Sequence, residues 1–160
     1  MKTIKIETNL SVFDSIDELP EDVQTLMNQA VQVRKKAYSP YSHFNVGAAM
    51  VLDNGEIITG NNQENASYPS GLCAERTAIY YAGANFPEAV IQKMAITASA
   101  QNKETNTPIP PCGACRQAIA EYEIKQNSPI EIYFMGEVGK VVKSDSLANL
   151  LPLIFDRKEL

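Results

Sequence analysis

Residues 94–135 have the sequence MAITASAQNKETNTPIPPCGACRQAIAEYEIKQNSPIEIYFM, in which strand and helix patterns alternate. Met94 to Ala98 and Ile130 to Met135 are short, mostly apolar runs of the kind that form buried strands. Between them, Cys112 to Glu123 has a helical pattern and follows two prolines that mark a helix start. A strand, a helix and a second strand in succession favour parallel pairing through a crossover. This stretch therefore predicts a sheet that contains a parallel pair of strands and packs against a helix.

The chain before this stretch predicts two more helices and an antiparallel hairpin. Residues 20–37 carry apolar side chains at helical spacing, and residues 73–84 also have a helical pattern. Val46 to Leu52 and Ile57 to Thr59 predict a hairpin around the turn Asp53–Glu56. The remaining predicted elements are an exposed strand at Thr3–Glu7, a helix capping box at Ser15–Glu18, a polar loop at Gly60–Leu72, a short strand at Val141–Val142 and a short helix at Asp145–Leu151. Together these patterns predict a mixed sheet with helices on both faces.

Length and composition favour one ordinary globular domain. The 160 residues suffice for one core but not for two sizeable ones, and 44% hydrophobic with 21% charged residues is typical of globular proteins. No run approaches the ~18 apolar residues of a membrane helix, and the first twenty residues carry charges throughout, so we expect a cytoplasmic protein without a membrane partner. The net charge of −5 disfavours a nucleic acid partner, because there is no overall positive field to attract phosphates.

The three cysteines predict a metal site. An odd number with two close together is not typical of a disulfide framework. Cys112 and Cys115 are three residues apart on the first turn of one helix, and Cys73 opens another, so all three lie where the positive end of a helix favours a thiolate. Zinc accepts three such ligands, and the single histidine, His43, lies in a turn ahead of a strand. The fourth ligand position is therefore expected to remain open for water.

Glu75 is the candidate general acid and base. It follows Cys73 by two residues at the opening of a helix, where the backbone is still turning and both side chains can face one site. Three thiolates would leave a zinc site with a net charge of −1, which opposes the ionisation of bound water. Arg76 and Arg116 are adjacent to the cysteine motifs, and both are expected to hydrogen-bond the thiolates and withdraw charge.

Each motif has a less specific interpretation when it is taken alone. A single Cys-x-x-Cys can be a redox pair or two core thiols, and a single Cys-Ala-Glu says little. Here Cys73-Ala74-Glu75 is followed by Pro111-Cys112-Gly113-Ala114-Cys115. That order matches the general pattern of zinc nucleobase deaminases, in which a Cys-x-Glu or His-x-Glu precedes Pro-Cys-x-x-Cys.

With these motifs the sequence resembles the small cytidine deaminases, the homotetrameric, three-cysteine branch of the zinc-dependent deaminase superfamily. The matching segments are Tyr38–Ala49, Asn62–Ala66, Cys73–Ala78 and Pro111–Gln117, with Leu150–Pro152 and Phe155 resembling the carboxy-terminal end of the family. The resemblance covers roughly residues 25–155, and several separate motifs occur in the same order. Residues 1–19 have no counterpart in the shortest family members, so we treat 1–160 as one domain with residues 1–19 as an N-terminal extension.

The resemblance implies a fold, a reaction and a set of site residues. The implied fold is a three-layer α/β/α sandwich around a five-stranded mixed sheet. The implied reaction is zinc-dependent hydrolysis of cytidine and 2′-deoxycytidine to the uridines and ammonia, in a homotetramer with shared active sites. The implied roles are zinc binding by Cys73, Cys112 and Cys115, proton transfer by Glu75, binding of the ribose 3′-hydroxyl by Asn62 and Glu64, packing on the base by Phe44, and contact with a neighbouring subunit's pocket by Phe155.

Other interpretations stay open at this point. Without the resemblance, Asn62 and Glu64 would be ordinary polar loop residues, Phe44 a core aromatic, and Phe155 an anchor for the tail. Within the superfamily, the substrate could instead be another small cytosine compound such as blasticidin S, or a cytosine in a polynucleotide. A zinc-stabilised binding module without catalysis is the alternative from another class, but it leaves Glu75 unexplained and the metal one ligand short.

Overall fold

The structure, a computed structural model, describes residues 1–156. Among these residues six strands form one mixed sheet in the order β1-β6-β5-β4-β2-β3. The strands are β1 (Ser11–Phe13), β2 (Phe44–Leu52), β3 (Ile57–Asn61), β4 (Ile91–Ala100), β5 (Glu131–Met135) and β6 (Val141–Ser144), and the helices are α1 (Glu21–Arg34), α2 (Ala74–Asn85) and α3 (Gly113–Gln126). As residues 94–135 predict, β4 and β5 pair in parallel, and α3 lies in the connection between them. The other neighbouring strands pair antiparallel.

The strand residues separate into two cores, one on each face of the sheet. Along β2, Ala48, Met50 and Leu52 pack in one cluster with residues of α2 and α3, whereas Ala49 packs in a second cluster with α1. This alternation follows from the two-residue period of a strand, whose successive side chains point to opposite faces. Helices therefore cover both faces, and α2 and α3 lie on the same one.

That shared face brings the two cysteine motifs together. Cys73 is the N-cap of α2 and Cys112 is the N-cap of α3. Helix α2 also approaches β3 closely, because a Cβ atom at Gly60 would lie 2.5 Å from the carbonyl oxygen of Ala74. The site is thus assembled at the starts of two helices that the sheet holds side by side.

Four details of the predicted fold are wrong. The sheet has six strands instead of five, because Ser11–Phe13 pairs antiparallel with β6. Thr3–Glu7 is not a strand but exposed, irregular chain, since its alternating side chains find no sheet to pack against. The helix predicted at Asp145–Leu151 is only a 3₁₀ turn at Leu147–Asn149.

The fourth difference is at the first helix. Ser15 is the N-cap of a 3₁₀ turn at Ile16–Glu18 and not of a longer helix, and α1 begins only after its own N-cap, Pro20. The helix ends at Arg34, before the predicted limit at residue 37. In the described part of the chain, no helix combines the length and the apolar character that crossing a membrane requires.

Candidate active site

Three thiols meet at the helix starts with the spacing of a zinc site. The Sγ atoms of Cys73 and Cys112 are 3.9 Å apart, those of Cys112 and Cys115 are 3.5 Å apart, and all three lie within 4.8 Å of one another. A tetrahedral zinc with bonds of about 2.3 Å would separate its sulfur ligands by about 3.8 Å. None of these cysteines is in a disulfide. The donor set and its spacing therefore fit zinc.

The thiols interact strongly with one another. The pKa of Cys73 falls to about 5 because Cys115 and Arg76 hydrogen-bond to its thiolate, which outweighs the opposite effect of burial. The pKa of the fully buried Cys115 is raised, first by its hydrogen bond to Cys73 and then by burial and the charge of Glu75. Cys73 therefore ionises more readily than Cys115, and binding a metal through Cys115 would release its thiol proton.

Glu75 lies beside the thiols in the first turn of α2. It is only 4% exposed, and its pKa rises to about 7, mainly because burial disfavours the charged carboxylate and the Cys73 thiolate repels it. A carboxyl group whose pKa is near neutral can both accept and return a proton at physiological pH. Glu75 has the properties of a general acid and base.

The two arginines have different surroundings. Arg76 donates from a terminal guanidinium nitrogen to Cys73 Sγ at 3.8 Å, and its pKa is raised by that contact. Its Nε atom is buried and has no hydrogen-bond partner among the described residues. Arg116 instead donates to the carbonyl oxygens of Pro111 (2.8 Å) and Leu150 (2.9 Å). Its recorded contacts therefore tie the start of α3 to the carboxy-terminal segment, and they differ from the expected bond to a thiolate.

A cavity of about 620 Å³ opens onto this cluster. It is large enough for a nucleoside-sized molecule. Of the residues singled out from the sequence, the cavity is lined by Phe44, Asn62, Glu64, Cys73, Glu75, Arg76 and Cys112. The structure thus brings residues from four separate sequence segments to one concave surface.

Glu64 is held by the turn that precedes β2. Its Oε2 accepts hydrogen bonds from the backbone N–H groups of Tyr41 (2.9 Å) and Ser42 (3.2 Å), and its Oε1 accepts one from the Ser42 hydroxyl. Burial alone would raise the pKa of Glu64, but these donors outweigh it and lower the pKa. Glu64 is therefore an ionised acceptor at the cavity wall.

Asn62 is buried and bonded to the start of β2. Its Oδ1 accepts from the N–H of Val46 at 2.8 Å, and its Nδ2 donates to the carbonyl oxygen of Phe44 at 2.9 Å. An amide nitrogen carries two hydrogens, so one donor remains beyond this bond. Asn62 therefore fixes the backbone next to Phe44 and still has a donor to offer.

Phe155 and His43 lie away from the cavity lining. Phe155 is 60% exposed, and its carbonyl oxygen accepts a hydrogen bond from Gln117 Nε2 at 2.8 Å. His43 is exposed, as expected of a solvated turn residue, and has a left-handed backbone conformation with φ of 54°. His43 does not belong to the metal-compatible cluster.

Sequence reasoning assigned no role to several residues that line the cavity. Tyr41 and Ser42 border it beside Glu64, and Tyr68 packs edge-to-face on Tyr41 with ring centroids 6.1 Å apart. The bond between Ser42 and the backbone of Phe44 could have been predicted, because a serine two residues before the start of a strand often hydrogen-bonds the backbone that follows it. The contact of Tyr68 with Tyr41 could not have been predicted from the sequence, since it depends on how the loop after β3 folds back.

Comparisons with known proteins agree with this geometry. A family model described as the cytidine and deoxycytidylate deaminase zinc-binding region matches residues 20–128. The cytidine deaminase of Halalkalibacterium halodurans is 39% identical over 140 residues, which is 87% of this chain and 98% of the relative. That of Sporosarcina psychrophila is 37% identical over 139 residues, covering 87% of this chain and 95% of the relative.

A solved structure shows the same fold. The crystal structure of cytidine deaminase from Burkholderia pseudomallei superimposes with a TM-score of 0.72 at 38% sequence identity. The match covers 86% of this chain and all of that one. This chain and that structure therefore share a mixed α/β fold.

Proposed function

This chain belongs to the cytidine and deoxycytidylate deaminase family, and from that membership we propose that it hydrolyses cytidine and 2′-deoxycytidine to uridine and 2′-deoxyuridine with release of ammonia. The cluster of Cys73, Cys112 and Cys115 can hold one zinc ion. The observation that carries the proposal is the buried carboxyl group of Glu75, which faces the same cavity as two of these thiols. A zinc-stabilised binding module would leave this group unexplained and the metal one ligand short.

The proposed reaction combines a metal and a proton carrier. Cys73, Cys112 and Cys115 would hold zinc, which when bound would act as a Lewis acid and bring the pKa of water close to neutral. Glu75 accepts the proton that water loses as oxygen bonds to C4 of the base, and passes it to N3. Glu75 then takes the second proton from the hydroxyl group now attached to C4 and carries it to the amino group. The C4–N bond breaks, ammonia departs, and the C4 carbonyl group of uracil forms. One carboxyl group thus serves as base and then as acid, which suits its pKa of about 7.

The substrate would be held by Phe44, Asn62 and Glu64. The aromatic face of Phe44 suits a flat pyrimidine, and the remaining Nδ2 donor of Asn62 with the ionised Glu64 suits a sugar hydroxyl. A hydroxyl can donate to the carboxylate and accept from the amide at once. This pairing supports a nucleoside as substrate and favours it over the free base.

Arg76 is proposed to withdraw charge from the thiolates. Its hydrogen bond to Cys73 Sγ places a cation against a ligand that would otherwise donate strongly to the metal. Arg116, which donates to two carbonyl oxygens, is proposed to hold the start of α3 in place.

We propose a cytoplasmic homotetramer with shared active sites, in which Phe155 reaches a neighbouring subunit. Leu153 and Phe155 are both largely exposed on the carboxy-terminal segment, and neighbouring exposed apolar side chains support contact with a partner there. Free cysteines suited to a metal support a reducing compartment, where they stay unoxidised. Sedimentation of the zinc-loaded protein would measure the assembly, and a monomer with full activity would rule out shared sites.

A substrate panel tests the proposed function. The zinc-loaded protein is given cytidine, 2′-deoxycytidine, cytosine, blasticidin S and a cytosine-containing single-stranded oligonucleotide, and ammonia release is measured for each. We expect rapid release from the two nucleosides and little from the others. Release from blasticidin S or from the oligonucleotide alone would reassign the substrate, and no release from any compound would contradict the enzyme assignment.

A further inference from the structure

The turn before β2 holds the proposed sugar-binding carboxylate by more than one bond. Glu64 accepts hydrogen bonds from two backbone N–H groups on Oε2 and from the Ser42 hydroxyl on Oε1. An ionised carboxylate has about four acceptor sites, and three of them are used here. About one acceptor site is therefore left for a ligand, and its direction depends on how the other three are bound.

Ser42 joins Glu64 to Phe44. While its hydroxyl donates to Glu64 Oε1, the same oxygen accepts a hydrogen bond from the N–H of Phe44 at 3.1 Å. Both Glu64 and Phe44 line the cavity. A single hydroxyl thus connects the carboxylate proposed to bind the sugar to the backbone of the residue proposed to pack on the base.

The turn itself is fixed from outside the cavity. His43 has a left-handed backbone conformation, its N–H donates to the carbonyl oxygen of Ser39 at 3.1 Å, and its carbonyl oxygen accepts from the N–H of Gln101 at 2.8 Å. The Ser39 hydroxyl donates to Asn45 Oδ1 at 2.5 Å, and Gln101 Nε2 donates to the same oxygen at 3.2 Å. These bonds anchor the turn to the end of β4, so the Ser42 hydroxyl is held in place before any ligand arrives.

We propose that Ser42 is a positioning residue that orients the Glu64 carboxylate for the substrate's 3′-hydroxyl group. The inference rests on the proposed nucleoside deaminase function and adds to it a residue that acts on the sugar through Glu64. Hydrogen bonds to a charged acceptor are stronger than neutral ones, so the loss of this donor should weaken substrate binding measurably. Among the described residues, the hydrogen bonds of Ser42 join it to Glu64 and Phe44 and to none of the cysteines or Glu75, so the chemical step should change little.

The test compares Ser42→Ala with the original protein on two substrates. With cytidine we expect KM to rise about tenfold while kcat stays within about threefold, because a charge-assisted hydrogen bond is lost from substrate binding alone. With 3′-deoxycytidine, which lacks the hydroxyl group in question, the two proteins should have nearly equal kcat/KM. Ser42→Thr keeps the hydroxyl and should restore most of the affinity for cytidine.

Two controls separate positioning from a structural effect. Ser70→Ala removes a hydroxyl from an exposed residue outside the cavity lining and should leave KM unchanged. In a Glu64→Ala background, Ser42→Ala should not lower kcat/KM for cytidine any further, because the serine would have no carboxylate to orient. Melting temperature and zinc content are measured on every variant.

The outcomes distinguish this inference from the function on which it rests. If the original protein releases no ammonia from cytidine, the proposed function is overturned and this inference with it. Three results with an active original protein would leave the function standing and overturn the positioning role. They are an unchanged KM of Ser42→Ala for cytidine, a fall mainly in its kcat, or an equal fall in its kcat/KM for cytidine and for 3′-deoxycytidine. A further fall in kcat/KM for cytidine when Ser42→Ala is added to Glu64→Ala would also overturn the positioning role.

Discussion

At the scale of single residues, charge decides what the first turn of α2 can do. Cys73, Glu75 and Arg76 place a thiolate, a buried carboxyl group and a cation within four consecutive positions. Burial and the Cys73 thiolate both raise the pKa of Glu75, and the thiolate is stabilised by Cys115 and by Arg76. Removal of one of these groups should therefore alter the others.

Arg76→Gln tests the charge-withdrawing role. Without the cation, Cys73 becomes a stronger donor to zinc, so kcat for cytidine should fall about 10- to 100-fold while zinc stays bound. The comparison variant is Arg116→Gln. It should lower the melting temperature, because it breaks hydrogen bonds to two carbonyl oxygens, and should leave kcat nearly unchanged. The measurements are kcat, zinc content and melting temperature in one preparation of each variant. Unchanged turnover in Arg76→Gln would refute charge withdrawal, and loss of zinc would show that Arg76 holds the site together.

At the scale of elements, the site depends on helices that begin at fixed places. Helices α2 and α3 both start at a cysteine N-cap, and a metal bound to the three thiols would join them. Helix α1 on the opposite face packs directly on β2 at Gly47, with no room for a side chain between them. β2 carries Phe44 at its start, so this packing also sets one wall of the cavity.

Cys112→Ala removes one of the three metal ligands and should weaken the link that a bound metal makes between the starts of α2 and α3. Cys112 is exposed whereas Cys115 is fully buried, so replacing Cys112 removes a ligand without emptying a core position. We expect less than one zinc per chain by elemental analysis and a lower melting temperature, because metal binding is coupled to folding. The original protein stripped of zinc by a chelator is the matched control and should melt at the same temperature as the variant. Full zinc content in Cys112→Ala would rule out the three-cysteine site.

Gly47→Ala should destabilise the packing of α1 on β2. An added Cβ atom would lie 2.1 Å from the carbonyl oxygen of Ala30 and 2.7 Å from the backbone nitrogen of Arg34, so the helix must move. We expect the free energy of unfolding to fall by about 1–3 kcal/mol or more in denaturant titrations. Gly113→Ala is the control, because a Cβ atom there meets nothing within 4 Å and the change should be small. Equal stability of the two variants would contradict the close packing.

The sequence predicts long elements of this fold well and short ones poorly. Residues 94–135 predict the parallel pair because each strand is buried and the helix between them has a clear start. Ser11–Phe13 escaped prediction because three partly exposed residues at a sheet edge have no periodic pattern, and their pairing depends on β6. The cysteine and glutamate motifs could be predicted, although Cys73 and Cys112 are 39 positions apart, because their order matches the general pattern of zinc nucleobase deaminases. The role proposed for Ser42 could not be predicted, because no motif links it to Glu64, which lies 22 positions away.

At the scale of the whole molecule, one sheet brings distant segments to a single cavity. The two cores on its faces hold α1 on one side and α2 with α3 on the other, and the cavity lies where the starts of β2, α2 and α3 come together. A metal site, a proton carrier and a pocket of nucleoside size therefore occur together. The proposed hydrolytic deamination uses all three.

The most direct test of the account is the turnover of cytidine by Glu75→Gln at the zinc content of the original protein. Glutamine keeps the size of the side chain but cannot carry a proton, and Glu75 is not one of the three thiol ligands. We expect zinc to remain at about one per chain and kcat to fall about 10³-fold or more, because one group is responsible for successive proton transfers. Near-normal release of ammonia by the zinc-loaded variant would contradict the central claim that Glu75 drives the deamination.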